Sequence, residues 1–111
     1  MDELTSLQRK HLRGLAQALD AVVIVGKQGV TENLVRAVAA ALEAHELVKV
    51  RFNEFKDEKA ALSEQIREAT GSVIPGRIGH VVLFFRRHPD PEKRRITLPD
   101  APKPPKRPPV I

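Results

Sequence analysis

The stretch "AVVIVGKQGVTENLVRAVAAALEAHELVKVRF", residues 21–52, carries four structural patterns in succession. Its β-branched opening run, residues 21–25, is typical of a strand that is buried on both faces, as in a parallel sheet. Thr31 is a favourable N-cap for the segment that follows, "ENLVRAVAAALEAH", whose apolar residues recur at helical spacing. A strand, a helix and a second strand in this order favour parallel pairing through a right-handed crossover.

The second strand, "LVKVRF", alternates in polarity. Val48, Val50 and Phe52 face one way, and Lys49 and Arg51 face the other. This pattern predicts a strand with one wetter face. Two interpretations of that face stay open: an ordinary solvated surface, or a surface that contacts an anionic partner.

The flanking segments complete the order of elements. Residues 5–19, "TSLQRKHLRGLAQAL", predict a first helix that opens with a capping box between Thr5 and Gln8. Residues 57–70 predict a third helix, and "SVIPGRI" and "VVLFFRR" around Gly79 and His80 predict a closing hairpin. The predicted fold class is therefore α/β in the order α-β-α-β-α-β-β, with a mixed four-stranded sheet packed with helices.

The composition narrows the class of protein. A chain of 111 residues has room for one domain, and the absence of cysteine excludes disulfides, thiolate metal sites and cysteine nucleophiles. The N-terminus does not resemble a signal peptide, and no apolar run approaches the length of a membrane span. We therefore expect a soluble cytoplasmic protein.

The net charge of +5 lies, as a formal excess, in residues 86–111. A basic balance favours a polyanionic partner such as nucleic acid, although a charge of this size also serves solubility alone. Eight of the nine prolines lie beyond His88, and the last twelve residues are rich in Pro, Lys and Arg. We expect a domain at 1–99, with "RRITLP" docked on it, and an extended tail at 100–111.

The segment "GKQG", residues 26–29, joins a predicted strand to a predicted helix N-terminus. The free N–H groups and the dipole at a helix N-terminus attract anions. Gly26 and Gly29 would allow positive φ and a close approach of a ligand to the backbone, Lys27 adds a charge, and Gln28 adds a neutral donor. The pattern predicts a site for a phosphodiester. A tight turn with no ligand is the alternative, since this segment is neither a Walker A loop nor a dinucleotide fingerprint.

Other candidate chemistries find little support in the sequence. The four histidines have no metal-ligand spacing, and no nucleophile stands beside a recognisable base. We therefore expect a protein that binds no metal ion or cofactor and has no enzymatic activity. The chain has no Trp or Tyr, and the adjacent Phe84 and Phe85 point to opposite faces of a strand, where both are expected in the core. Recognition would then rest on backbone phosphates and on the shape of the nucleic acid.

Taken together, several stretches resemble one family. They are "LRGLAQAL", "VVIVGKQGVTENLV", "ALEAHELVKVRF", "TGSVIPGRIGHVVLFFRR" and "RRITLP", in unbroken order over residues 4–99. The sequence is similar to the CRM domain, specifically to the stand-alone bacterial YhbY-type RNA-binding proteins. The resemblance implies a fold similar to the C-terminal domain of translation initiation factor 3, a G-x-x-G loop like that of KH domains, and no enzymatic activity. It also implies association with precursors of the large ribosomal subunit.

The resemblance further implies which residues would contact RNA. The loop residues are Gly26, Lys27, Gln28 and Gly29, and the basic surface comprises Arg9, Lys10, Arg13, Lys49 and Arg51. Two alternatives stay open. One is a protein-interaction module of the assembly machinery that touches RNA only through its basic tail, and the other is a small enzyme that binds a phosphorylated ligand at the loop. The oligomeric state is also open, with a monomer favoured.

Overall fold

The computed structural model describes residues 4–99 and confirms the predicted order of helices and strands. The elements are α1 (Ser6–Ala16), β1 (Ala21–Val25), α2 (Glu32–His45), β2 (Leu47–Phe52), α3 (Lys59–Thr70), β3 (Arg77–Ile78) and β4 (Val81–Phe85). The strands form one mixed sheet in the order β1-β2-β4-β3. β1 pairs with β2 in parallel, and the other two pairs are antiparallel. The predicted tail at 100–111 lies outside the described residues, so the division at 99 stays a prediction.

Other segments pack on both faces of the sheet, and each face has its own core. On the first face α2 and α3 pack over the sheet, and the fully buried members there include Val25, Val38, Val50, Phe52, Ile66 and Phe84. On the second face α1 and the segment after β4 pack over the sheet, and the buried members are Leu4, Leu12, Ala16, Leu47, Leu83, Phe85 and Leu98. Phe84 and Phe85 therefore enter opposite cores, as predicted.

Local sequence signals set the helix starts. Thr5 Oγ1 accepts the Gln8 N–H at 3.1 Å, and Gln8 Oε1 accepts the Thr5 N–H at 3.0 Å, which is the predicted capping box. Thr31 Oγ1 accepts the Leu34 N–H at 3.1 Å and caps α2. The helix ends were less well predicted: α1 stops at Ala16, and a 3₁₀ turn at Lys56–Glu58 precedes α3. Helix ends depend on packing as well as on caps, so such shifts are expected.

The prediction that β1 is buried on both faces is wrong. The side chains of Val22 and Ile24 are 56% and 49% exposed, and only Val23 and Val25 are buried. β1 is an edge strand, and α1 packs over Leu47 and the middle of the sheet, away from that edge. The β-branched run therefore leaves one apolar face of β1 open to solvent.

The segment after β4 folds back onto the second core. Glu46 is 1% exposed, and its carboxylate accepts backbone N–H groups from His88 at 2.7 Å, Arg95 at 2.7 Å and Ile96 at 2.9 Å. Leu98 is buried in the second core. The expected docking of "RRITLP" on the domain is confirmed, and a buried carboxylate with three donors holds it in place.

Candidate nucleic-acid interface

The GKQG segment forms a tight turn between β1 and α2. The Gly29 N–H donates to the Gly26 carbonyl at 3.0 Å, so Lys27 and Gln28 stand at the corner of the turn. Both of these side chains are exposed. The turn therefore presents a positive charge and a neutral donor to solvent at one end of the sheet.

The two glycines of this turn differ. Gly29 has φ of +73°, which favours glycine, and a methyl group at this position would lie 3.4 Å from Cε2 of Phe55. Gly26 does not have a positive φ, and a methyl group added there would meet nothing within 4 Å. The expectation of positive φ is correct for Gly29 and wrong for Gly26. Gly29 is required by the turn itself, whereas Gly26 leaves a stretch of backbone open to a ligand.

The N-terminus of α2 follows the turn after two further residues. Its first N–H groups have no partner within the helix, and Thr31 satisfies that of Leu34. Glu32 lies in the first turn and places a carboxylate near the same helix end, but this carboxylate is 3.3 Å from Arg36, which offsets part of its charge. The helix end remains suited to an anion, although Glu32 weakens the attraction.

The strand register brings Arg51 close to the turn. Arg51 pairs with Ile24, two residues before Gly26, and its other neighbour across the sheet is Val81, which in turn pairs with Ile78. This row crosses all four strands on the face that carries α1, and Arg51, Ile24 and Ile78 are exposed there. We call it the open row. Arg51 is thus an exposed cation among apolar side chains, next to the GKQG turn.

Lys49 lies in the neighbouring row, farther from the turn. Its ammonium donates to the Leu19 carbonyl at 2.8 Å and is thereby held against the segment after α1. The predicted alternation of "LVKVRF" is confirmed, since Val48, Val50 and Phe52 are buried. Lys49 and Arg51 share a face, but only Arg51 adjoins the turn.

The predicted cations of α1 have different surroundings. The Arg13 guanidinium donates to the Pro75 carbonyl at 3.2 Å, and its stem lies on Gly76, where a methyl group would be 2.6 Å from Cδ. Arg9 turns back to the Leu4 carbonyl at 2.9 Å, near the start of the helix. Lys10 is exposed. The Gly76 carbonyl accepts the Leu83 N–H, and Leu83 pairs with Lys49. Arg13, which lies on Gly76, is therefore over the row of Lys49, next to the open row.

The predicted cations differ from three arginines elsewhere in the structure in their ion pairing. Within residues 4–99, none of the predicted cations Arg9, Lys10, Arg13, Lys27, Lys49 and Arg51 forms an ion pair. The arginines that do form ion pairs lie on or against α2 and α3, and they are Arg36, Arg67 and Arg86. The hydrogen bond from Arg67 also lowers the pKa of Glu64. The cations near the turn thus remain available to an outside anion.

An exposed aromatic residue beside the turn was missed by the sequence argument. Phe55 is 40% exposed and lies against Gly29, whereas Phe52, Phe84 and Phe85 are fully buried. The signal was a single phenylalanine within the charged segment "NEFKDE", residues 53–58. That segment also places the carboxylates of Glu54, Asp57 and Glu58 at this end of the sheet, so its charge is mixed.

Two further findings concern the residues that the structure describes. Within 4–99 no group of three or more His, Asp or Glu side chains is arranged to hold a metal ion. None of the helices in the same range is long and apolar enough to cross a membrane.

Comparison with known proteins identifies relatives of this chain. The profile of the CRS1 / YhbY (CRM) domain matches residues 4–86. The "Probable RNA-binding protein YqeI" of Bacillus subtilis is 32% identical over 97 residues, which covers 86% of this chain and 99% of the relative. An "RNA-binding protein" of Haemophilus influenzae is 32% identical over 100 residues and covers 89% of this chain and 98% of its own length.

A solved structure is similar to this chain in both fold and sequence. The solution structure of SAV1595 from Staphylococcus aureus, described as a candidate RNA-binding protein, superposes with a TM-score of 0.71 at 34% identity. It covers 87% of this chain and 100% of its own. The match extends over both the α/β fold and most of the sequence, so the chain belongs to the CRS1 / YhbY (CRM) domain family.

Proposed function

We propose that this protein binds RNA and assists assembly of the large ribosomal subunit, in the cytoplasm and without catalysis. The GKQG turn and the flanking basic residues grip the RNA backbone. The names of the relatives support RNA as the partner, and the likeness to YhbY-type proteins supports the ribosomal precursor.

One observation carries the proposal for the site: an open turn and cations that form no ion pair within residues 4–99 lie together at one end of the sheet. Gly26 leaves the backbone accessible, and Lys27 stands at the corner of the turn. Arg51 pairs across the sheet with Ile24, which is two residues before Gly26. A phosphate can approach the backbone at Gly26, while the Lys27 ammonium adds a point charge. The guanidinium of Arg51 offers a planar fork that matches the next phosphate.

From Arg51 the proposed track continues towards α1. Arg13 lies over the neighbouring row of the sheet, and Lys10 is exposed on the same helix. Lys49 and Arg9 are held by the carbonyls of Leu19 and Leu4, so they contribute charge from fixed positions. Such a track binds backbone phosphates irrespective of base, and its affinity falls with added salt.

Substitution of Lys27 by alanine tests the site. The logarithm of the affinity falls linearly with the logarithm of the salt concentration, and each phosphate contact that is lost makes this fall less steep by roughly 0.7 to 0.9. We expect Lys27→Ala to make the salt dependence less steep by the amount of about one phosphate contact. The unfolding transition should stay unchanged, because the Lys27 side chain is exposed. The measurement is a series of RNA titrations at several salt concentrations.

Arg67→Ala is the matched control, because it removes the same charge from α3, where Arg67 is paired with Glu64. Its slope should equal that of the unaltered protein. If Lys27→Ala also leaves the slope unchanged, the turn does not contact phosphate and this part of the proposal is wrong.

A further inference from the structure

The fourth phenylalanine of the chain has a placement unlike that of the other three. Phe52, Phe84 and Phe85 are fully buried, whereas the Phe55 side chain is 40% exposed in the loop between β2 and α3. Its backbone has φ of 57° and ψ of 40°, the left-handed conformation that bulky residues seldom adopt. Backbone strain of this kind concentrates at binding and catalytic sites.

The structure holds the Phe55 ring next to the GKQG turn. The Val25 carbonyl, directly before Gly26, accepts the N–H groups of Asn53 at 3.0 Å and Glu54 at 3.3 Å. These bonds tie the β2–α3 loop to the end of β1. The ring then lies against Gly29, where the missing side chain leaves room for it. The position of the aromatic ring relative to the turn is thus set before any ligand binds, which lowers the entropic cost of recognition.

Charge indicates which part of a nucleotide fits here. Glu54, Asp57 and Glu58 outnumber Lys56 around Phe55 in the sequence, and this net negative charge disfavours a phosphate at this position. A nucleobase is neutral and has a π-face that stacks on aromatic side chains. Lys27, on the corner of the turn, favours the phosphate instead.

We propose that Phe55 stacks against an unpaired nucleobase of the bound RNA while the adjoining phosphate lies at the GKQG turn. This inference rests on the proposed RNA-binding function and adds a preference for single-stranded segments, since a base within a duplex cannot expose its face. It also revises the expectation that recognition depends on phosphates and shape alone.

Phe55→Trp provides a direct measurement, because the chain has no other tryptophan. We expect a single-stranded oligoribonucleotide to quench the fluorescence of the new tryptophan, and a fully paired duplex of the same sequence to leave it nearly unchanged. Ala44→Trp is the control, because Ala44 is exposed at the far end of α2 from the turn. Binding itself is followed independently by the anisotropy of labelled RNA.

Phe55→Leu and Phe55→Tyr separate stacking from simple packing on Gly29. Loss of one stacked base weakens binding by roughly 5- to 150-fold, so Phe55→Leu should lose that factor for the single strand, with an unchanged salt slope. Phe55→Tyr should retain the affinity. Urea unfolding reports whether Phe55→Leu also loses stability.

Three outcomes would overturn the inference. The first is RNA binding with no change in tryptophan fluorescence. The second is an equal loss by Phe55→Leu for single strand and duplex. In the third, the unaltered protein binds no RNA at all, and this outcome removes the proposed function together with the inference.

Discussion

Gly26 and Gly29 look equivalent in the sequence and have different roles in the folded chain. Gly29 adopts a positive φ and lies against the Phe55 ring, so the fold itself requires a glycine there. Gly26 has ordinary backbone geometry with free space around it. Under the proposed function, its missing side chain serves the ligand and not the turn.

This difference predicts opposite effects of adding one methyl group. Gly26→Ala should leave the free energy of unfolding within about 0.5 kcal/mol of its original value, but weaken RNA binding because the methyl group separates phosphate from backbone. Gly29→Ala should destabilise the protein by about 1 kcal/mol, because alanine disfavours the left-handed conformation. Urea unfolding and RNA titration of both variants measure the two effects. Unchanged RNA affinity in Gly26→Ala would show that no ligand approaches the backbone there.

Among the elements, the segment after β4 depends on a residue that no sequence pattern marks. Glu46 ends α2 with φ of 66° and turns its carboxylate into the interior, where three backbone N–H groups meet it. The backbone of Glu46 also accepts the Arg86 N–H at 2.9 Å. One residue therefore ends a helix, directly precedes β2 and anchors residues 88–96.

Glu46→Gln tests this anchor. The amide keeps one acceptor oxygen and places an NH₂ group against a backbone donor, so one hydrogen bond to a charged acceptor is lost and a donor is left unpaired. We expect a loss of about 2 kcal/mol in the free energy of unfolding, with faster hydrogen exchange at His88, because its N–H alone is bonded to Oε2 whereas those of Arg95 and Ile96 share Oε1. Urea unfolding and amide exchange provide the measurements.

Glu43→Gln is the comparison for this anchor. The Glu43 carboxylate contacts His88 at 2.7 Å and Arg86 at 3.3 Å but is 58% exposed, so its replacement should cost less than about 1 kcal/mol. If both variants lose the same free energy of unfolding, the three backbone hydrogen bonds of Glu46 stabilise the protein no more than the exposed contacts of Glu43.

At the scale of the whole molecule, ion pairing is unevenly distributed. Arg36, Arg67 and Arg86, on or against α2 and α3, are paired with carboxylates, whereas Lys59 of α3 and the predicted cations of the turn, β2 and α1 form no ion pair among residues 4–99. The open row adds exposed apolar side chains beside Arg51. The basic tail at 100–111 lies outside the described residues, so its part in binding has to be tested separately.

Truncation after Pro99 distinguishes the domain from the tail. We expect the shortened protein to bind RNA and to sediment with precursors of the large ribosomal subunit, with a modest loss of affinity from the three Lys and Arg residues removed. Gradient sedimentation of cell extracts and RNA titration provide the two measurements. Complete loss of RNA binding would favour the alternative in which the tail is the nucleic-acid contact of a protein-interaction module.

Several features were predictable because they depend on neighbours in the sequence. The capping box at Thr5, the cap at Thr31, the alternation of β2 and the Gly79–His80 hairpin all follow from contacts within a few residues, and the structure confirms them. The proximity of Arg51 to the turn was harder to foresee, because it depends on the register between β1 and β2. Phe55 and Glu46 were missed because their roles depend on segments far away in the chain.

The sequence by itself determined the order of helices and strands, the position of the GKQG turn before a capped helix, and the resemblance to one family. These follow from local periodicity, caps and a linear pattern of residues, which folding does not alter. Only the tertiary structure decided that β1 lies at an edge, that Gly26 and Gly29 differ, and that Phe55 lies at the turn. The physical reason is that burial, register and the space around a backbone depend on which distant segments pack together, and a single sequence does not state those contacts.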